Sequence, residues 1–552
     1  MKRFPSLIFT LVFVACTTAV TPGRGERGAS VSADRIAADI RTVSSDAFLG
    51  RAPATRGEEL ATSYIRDRLQ AAGVQPGGPN GSWFQEVPLS QSDIVGAPSL
   101  SVGVGGQTIS LKQGEQIAVR ASMQNVDRVD IQNAPLVFLG YGVRAPERNW
   151  DDFKGEQLRG KVGIVLVNDP DFETGQGDFG GKAMTYYGRW TYKYEEAARQ
   201  GLAGMLVVHE TAPASYGWAT VKNSNTNTMF DIVRDNPAEV HPLVEGWIQR
   251  DEAIRLFNAV GQDFEALKRR AQTREFRPVA LGNATFSANY QVKRQTIRSK
   301  NILARLPGTA RPDETILFGA HWDHLGVGAP DARGDTIYNG AVDNGTGIAA
   351  VLELARIFAA GPRTQRSLVF AFWTAEEKGL LGSEYYASNP VYPLETTVAG
   401  FNIDALSPTG RARDVLVVGS GQTDIEDRLQ AVLAANNRVM TPDATPEAGY
   451  FFRSDHFPMA KRGVPMLYMD SGIDLLTGGI TAGRAFDARY RRDAYHQPAD
   501  EYDSTWNLAG IAEDVMVLHQ LGLQLANSRD WPNYRQTSEF RPVRDKSAAK
   551  RP

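Results

Sequence analysis

Five short segments of this 552-residue chain place carboxylates and imidazoles where chemistry can use them. The apolar run 315–320 leads straight into His321-Trp322-Asp323-His324. In an extended segment His321 and Asp323 project to the same side, so a carboxylate can brace or supplement the imidazole at a metal. Next comes Asn339-Gly340-Ala341-Val342-Asp343-Asn344-Gly345-Thr346-Gly347, directly before an apolar helical stretch, where a capping Asp or Asn explains the loop equally well. The run 367–373 ends in Thr374-Ala375-Glu376-Glu377, adjacent carboxylates that repel each other unless cations or solvent relieve them. Asp404 closes the run 398–403, and Tyr495-His496-Gln497-Pro498-Ala499-Asp500 sets an imidazole in a turn-like context. Each segment alone has a plain structural explanation, whether a helix cap, an acidic first turn or a surface histidine. Together, two imidazoles and several carboxylates at one edge of one sheet suit zinc or another divalent transition ion.

These side chains need elements to hold them. From about residue 299 onward strands and helices alternate. The strands are expected at 315–319, 367–373, 398–403, 414–418 and 464–468, and the helices at 348–360, 425–435 and 508–525. Such alternation predicts an α/β fold with a largely parallel central sheet, whose strand carboxyl ends gather functional groups. Upstream, Leu60, Ala61, Tyr64, Ile65, Leu69 and Ala72 recur at helical spacing and stop at Gly73. Residues 83–89 read as a strand. Between 99 and 167 lie short β-branched runs, clearest at 136–142 and 161–167, followed by a helix at 194–200 and a strand at 204–208. This middle stretch reads as a small β-rich unit of its own. The polar, basic end of the chain is expected to be a loose tail.

Composition narrows the classes further. With 42% hydrophobic and 22% charged residues the chain is ordinary globular protein, neither wholly disordered nor a polytopic membrane protein. Sixty Lys and Arg against 63 Asp and Glu give a net charge of -3, and no basic run with interleaved aromatics points to nucleic acid. The single cysteine, Cys16, excludes an intramolecular disulfide and any cysteine-based site in the folded part. Cys16 sits in an N-terminal segment that reads as an export signal, with Lys2 and Arg3 ahead of the short apolar run 7–15. Phe13-Val14-Ala15-Cys16 resembles a bacterial lipobox, with Phe13 in place of the usual leucine. Lipidation of Cys16, which would anchor the protein at a membrane surface, and simple cleavage both remain open. The mature protein is expected outside the cytoplasm, as a periplasmic, outer-membrane-anchored or secreted form.

The ordered set His321-x-Asp323, Asp343-Asn344-Gly345, Glu376-Glu377, Asn402-Ile403-Asp404 and Tyr495-His496-Gln497-Pro498 resembles the M28 family of dinuclear zinc aminopeptidases. Ser454-Asp455-His456-Phe457 with Gly463-Val464-Pro465 is similar to the same family. The middle stretch looks like the protease-associated (PA) domain inserted in many members, on Asn149-Trp150-Asp151-Asp152-Phe153, Arg159-Gly160-Lys161-Val162 and 198–204. The resemblance implies an α/β zinc-peptidase fold: a mostly parallel central sheet flanked by helices, with an inserted β-rich PA domain. With the N-terminal signal and the polar tail, the chain then divides into a signal and linker (1–30), a first catalytic part (31–120), the PA insert (approximately 121–285), the main catalytic part (286–530) and the tail (531–552). The resemblance also implies two zinc ions, one held by His321 and Asp404 and the other by Glu377 and His496, with Asp343 between them. Asp323 would brace His321, Glu376 would be the general base, and Tyr495 would help stabilise an oxyanion. Asn344 stands where other members carry a second aspartate. His324, His456, His209, His241 and His519 receive no ligand role, His456 being the nearest accessory candidate.

The activity so implied is hydrolysis of the N-terminal bond of peptides or proteins by a zinc-activated water, without a covalent intermediate. Other chemistries of the same constellation are carboxypeptidase action on acidic dipeptides and glutaminyl cyclisation. The first would need a basic pocket, for which Arg453, Arg484 and Arg491 are the candidates; the PA insert weighs against the second. A non-catalytic binding protein built on the PA domain is the reading from another class, and an intact Glu376 speaks against it. Oligomeric state is not legible in the sequence.

Overall fold

A run such as Arg366–Trp373, buried along its whole length, belongs in the interior of a parallel sheet covered on both faces. The structure, a computed structural model, describes residues 30–551 and has this character; the N-terminal segment expected to be an export signal, with Cys16, lies outside the described residues. Its framework strands are β1 (Phe84–Val104), β2 (Ile117–Val119), β3 (Arg128–Phe138), β4 (Val162–Leu166), β5 (Gly204–His209), β6 (Val244–Gln249), β7 (Val279–Leu306), β8 (Arg311–His321), β9 (Arg366–Trp373), β10 (Thr397–Asn402), β11 (Asp414–Val418), β12 (Val439–Pro442) and β13 (Met466–Ser471). They join in the order β12-β11-β13-β10-β8-β9-β7-β3-β4-β5-β6-β2, with β1 paired along β7. β8 runs parallel to both β9 and β10, and β10 runs parallel to β13. The carboxyl ends of these strands therefore open on one edge, where the expected site residues follow them.

The main helices are α1 (Ala33–Val43), α2 (Arg56–Ala71), α3 (Trp190–Arg199), α4 (Gly347–Ala360), α5 (Ile425–Ala435), α6 (Gly479–Asp493), α7 (Ala509–Asn527) and α8 (Arg541–Lys546). Successive residues of β8 feed opposite faces, as the pleat requires. Phe318 packs with Ile40, Ile65, Leu354 and Leu518 of α1, α2, α4 and α7, while Leu317 packs on the other side with Trp373, Phe457 and Met466. α4 is apolar around nearly its whole circumference, so it is buried between sheet and helices rather than at the surface. A second core gathers on the parallel strands β3 to β6, with Phe138, Ile164, Leu206 and Phe257 at its centre. Among the described residues no helix is long and apolar enough to cross a membrane.

Two expectations about layout need correction. β7 runs unbroken over 28 residues, and it pairs with β3 at one end and β9 at the other. The expected boundary at 285/286 thus falls inside a strand. That at 120/121 falls inside the second core, which already includes Leu100, Val102, Leu111, Ile117 and Val119. Charged residues such as Lys293, Arg294 and Arg298 on β7 hid the strand in the sequence, because much of that stretch is solvent-facing. Residues 531–551 are not a loose tail either. Tyr534, Phe540 and Arg544 are buried, and the Arg544 guanidinium donates to the carbonyls of Thr397 and Val398 at 3.1 and 3.3 Å. A few apolar anchors spaced through a polar segment suffice to dock it, which composition averages conceal. Phe540→Ala is expected to cost ~3–5 kcal/mol, the usual toll for emptying a buried phenylalanine site, read by urea unfolding of the full chain; a loss below 1 kcal/mol would show that the segment is not anchored there.

Candidate metal centre

β8 ends at His321, and the chain then turns through Asp323 and His324; β9 ends three residues before Glu376; β10 ends two residues before Asp404. These three neighbouring strands bring their residues to one point. The Asp343 loop enters from the turn that opens α4, and His496 arrives from the turn after α6.

Asp343 lies at the centre. Its Oδ1 is 3.2 Å from His321 Nε2, and its Oδ2 is 3.2 Å from His496 Nε2. His321 Nε2 is also 3.2 Å from Asp404 Oδ1, and His496 Nε2 is 3.1 Å from Glu377 Oε2. The five residues read from the sequence as ligands are therefore in contact, three carboxylates alternating with two imidazoles. Asp323 stands beside them: His321 Nδ1 is 3.1 Å from its backbone carbonyl and 3.8 Å from its carboxylate. The carboxylate of Asp323 accepts a hydrogen bond from the Glu376 backbone N–H at 3.0 Å, which ties the β8 turn to the β9 turn. Glu376 lines the cavity that opens from the cluster, as does Tyr495, whose ring stacks on His496 at 3.9 Å between centroids.

The electrostatics show what the cluster lacks. Burial by itself would lower the pKa of His321, but the carboxylates of Asp404 and Glu376 outweigh it and hold the imidazole well above its ordinary value. His496 is raised in the same way, burial being overcome by Glu377 and Asp343. The two imidazoles are the nearest side chains that can offset carboxylates packed out of water. Buried orphans remain nonetheless: Asp323 Oδ2, Glu377 Oε1 and both ring nitrogens of His324 have no hydrogen-bond partner. Two groups with ligand atoms close enough to share an ion can be drawn, His321–Asp343–Asp404 and His324–Asp343–Glu377, and Asp343 belongs to both. Imidazole and carboxylate donors of this kind fit zinc or a similar transition ion.

Several residues of the site have roles that the sequence reading did not assign. His324 is fully buried with Nδ1 only 2.6 Å from Glu377 Oε1, though not aligned as a hydrogen bond. Asp500 accepts from the backbone N–H groups of Val342 and Asp343 at 2.9 and 3.1 Å and from the Tyr490 hydroxyl, joining the His496 turn to the Asp343 loop. Asn344 donates to the Ile403 carbonyl at 3.0 Å and accepts from Ala405 N–H at 3.1 Å, so it clamps the loops of Asp343 and Asp404 together. Ser454 Oγ donates to Asp404 Oδ2 at 2.5 Å. His456 stays outside the cluster, buried against Phe451 and Tyr468, and burial pulls its pKa down to about 3.

Arg51 is the furthest from any sequence signal. An arginine in the turn Leu49-Gly50-Arg51 reads as surface, yet it is completely buried. Its guanidinium donates to the carbonyls of Trp322 (2.9 Å), Val43 (2.8 Å), Asn339 (2.6 Å) and Gly340 (2.9 Å). It thus knits the β8 turn to the loop carrying Asp343. Gly50 makes the approach possible: at φ +62° it lies so close to the Gly326 carbonyl that a Cβ would sit 2.4 Å from that oxygen. Arg51→Gln should cost ~3–5 kcal/mol, because it strands buried carbonyls beside a cluster of acids. Zinc affinity should fall with it. Urea unfolding together with zinc titration checks this, and unchanged zinc affinity in a folded variant would reduce Arg51 to a scaffold residue.

Residues 301–519 match the family model described as peptidase family M28. This segment carries the similarity to the M28 peptidases. It is similar, at 33% identity over 199 residues, to leupeptin-inactivating enzyme 1 of Streptomyces exfoliatus, covering 34% of this chain and 41% of the relative. A second relative is the probable lipoprotein aminopeptidase LpqL of Mycobacterium tuberculosis, 28% identical over 252 residues, covering 42% of this chain and 46% of the relative. The chain thus spans less than half the length of these two relatives. Among solved structures, an aminopeptidase from Aneurinibacillus sp. strain AM-1 aligns over 91% of this chain and 95% of its own, with 17% identity and a TM-score of 0.48. The matched segment contains every residue of the cluster, while Arg51 reaches it from outside that segment.

Proposed function

We propose that the chain is a zinc-dependent aminopeptidase that hydrolyses the N-terminal bond of peptides at this cluster. One zinc would be held by His321 and Asp404 and a second by Glu377 and His496, with His324 within reach of the latter. The observation that carries the reading is the placement of Asp343, whose two carboxylate oxygens each face a different histidine at 3.2 Å. A carboxylate so placed can serve two cations at once.

When bound, the ions would polarise the scissile carbonyl and lower the pKa of a water molecule. The chain's own residues do the rest. Glu376 sits beside the cluster without ligand contacts of its own, and burial with the charges of Asp404 and Glu377 holds its pKa well above the ordinary carboxylate range, against the pull of His321. In its ionised form this carboxylate can take a proton from the attacking water, its raised proton affinity helping it to hold that proton until it passes to the leaving amine. Asp323, through the Glu376 backbone N–H, fixes where that carboxyl group starts. Tyr495 presents its ring to the cavity mouth, stacked on His496, and is the donor proposed for the developing oxyanion.

Two of the three arginines that a carboxypeptidase would use are already engaged, and only Arg484 stands exposed on the cavity wall. Arg491 pairs with Asp487 at 2.9 Å and donates to the Tyr450 hydroxyl. Arg453 stacks on the rings of Tyr216 and Tyr450 and donates to the Ala448 carbonyl. Hydrolysis of aminoacyl-anilides, with N-blocked peptides left intact and activity removed by a chelator, is the expected result; turnover of N-blocked peptides alone would reject the reading. For the middle of the chain we keep the PA-domain reading, on the motif residues and the second core. For the N-terminal segment we keep export: periplasmic, secreted or lipid-anchored through Cys16. Membrane fractionation of Cys16→Ala separates the last, since a variant that stays membrane-bound would exclude the lipid.

A further inference from the structure

The cavity beside the cluster is about 620 Å³, and its far floor is built by β11 and β13. These strands pair antiparallel with Leu416 opposite Asp470 and Val418 opposite Tyr468. All four side chains line the cavity, while the alternate residues Val415, Val417, Leu467 and Met469 turn into the core. Ile473 and Phe486 add to the apolar wall. The strand floor is therefore an apolar surface carrying one carboxylate, while Asp443 and Asp487, the latter paired with Arg491, line other parts of the cavity.

That carboxylate is not satisfied by the protein. Its one recorded hydrogen bond is from the N–H of its own neighbour, Ser471, at 2.6 Å, and among the described residues no Lys, Arg or His nitrogen pairs with it. Arg491 is committed to Asp487 and Tyr450. Arg484, exposed on α6, is the remaining cavity-wall cation that would compete for it. Desolvation pushes the Asp470 carboxyl up to about 8, opposed by the Ser471 N–H and Arg491 and reinforced by the charges of Asp487 and Asp404. Asp470 is half-buried, and a carboxylate facing an apolar wall without a cationic partner is poorly solvated, so a ligand that brings a cation there gains a favourable pairing.

We propose that Asp470 selects substrates whose N-terminal residue has a basic side chain, lysine or arginine. The aliphatic stem of such a side chain would lie along Leu416, Val418 and Ile473, with its charged head at Asp470. The inference rests on the aminopeptidase reading, because it assigns the cavity to the side chain of the cleaved residue. A leucine would fill the apolar wall and leave the carboxylate unpaired, so it gains less.

The test uses the full chain loaded with zinc, with Lys-, Arg-, Leu- and Glu-p-nitroanilides for turnover. Isothermal titration with L-lysine and L-norleucine gives binding independently of catalysis. Lys and Arg substrates are expected to lead Leu in kcat/KM, and Asp470→Asn should cut the Lys:Leu ratio by ~10–10³-fold, the range of losing one partner of a buried charge pair. Asp470→Ser provides a second variant, and if neither keeps the wild-type melting transition the wild-type ratio decides. A wild type that prefers Leu, or a ratio unmoved in folded variants, overturns the proposal. If no anilide is cleaved yet lysine binds more tightly than norleucine through Asp470, the peptidase reading falls and the basic pocket stands. If neither occurs, both fall.

Discussion

Glu376→Gln is expected to lower kcat by ~10²–10⁴-fold, the contribution of a positioned acid–base group, while zinc binding and folding stay near wild type. The amide keeps the size of the side chain but cannot accept the proton from water. Because Glu376 makes no ligand contact in the cluster, the change leaves the donor set of His321, Asp343, Glu377, Asp404 and His496 intact. Glu377→Gln must behave differently. Its carboxylate meets His496 at 3.1 Å and His324 at 2.6 Å, within the group that would hold the second ion. An amide is a poorer ligand, so that variant should lose zinc and recover part of its activity in excess zinc. No metal excess should rescue Glu376→Gln. Near-normal turnover of Glu376→Gln would remove the proposed mechanism.

Asp343→Ala is the change with the largest expected effect on metal content. Each of its oxygens faces a different histidine, so removing it weakens both sites at once. Zinc content by elemental analysis should fall from about two ions per chain toward none under conditions that keep wild type loaded, with activity down ~10³-fold or more once the metal-activated water is gone. Zinc that binds only the folded protein should raise the melting temperature of wild type and barely move that of the variant. Retention of both ions by Asp343→Ala would end the shared-ligand assignment. A wild type binding a single ion, unaffected by this change, would end the dinuclear reading.

What was legible in the sequence was legible because it is local. A strand is an apolar run and its end is a polar residue, so His321, Glu376, Glu377 and Asp404 announce their place on the carboxyl edge by position alone. The bounds of β9, α4 and α7 lie within a residue or two of those expected for the same reason. The layout of the middle of the chain was less legible. β1 and β7 are long strands held by each other and by neighbours in both cores, and their exposed faces carry charges that mask the apolar alternation.

The sequence by itself determined the inventory of the site: which imidazoles and carboxylates are available, and that they follow adjacent strands of an α/β sheet. Only the tertiary structure decided how they are held. Arg51 meets Trp322 across 271 residues of chain, and Ser454 reaches Asp404 across 50. Asp470 gains its meaning only because β11 lies antiparallel to β13 and gives it apolar neighbours. Such contacts depend on which surfaces are desolvated together. A buried guanidinium or a lone carboxylate in an apolar pocket looks like any surface charge until the fold removes the water around it.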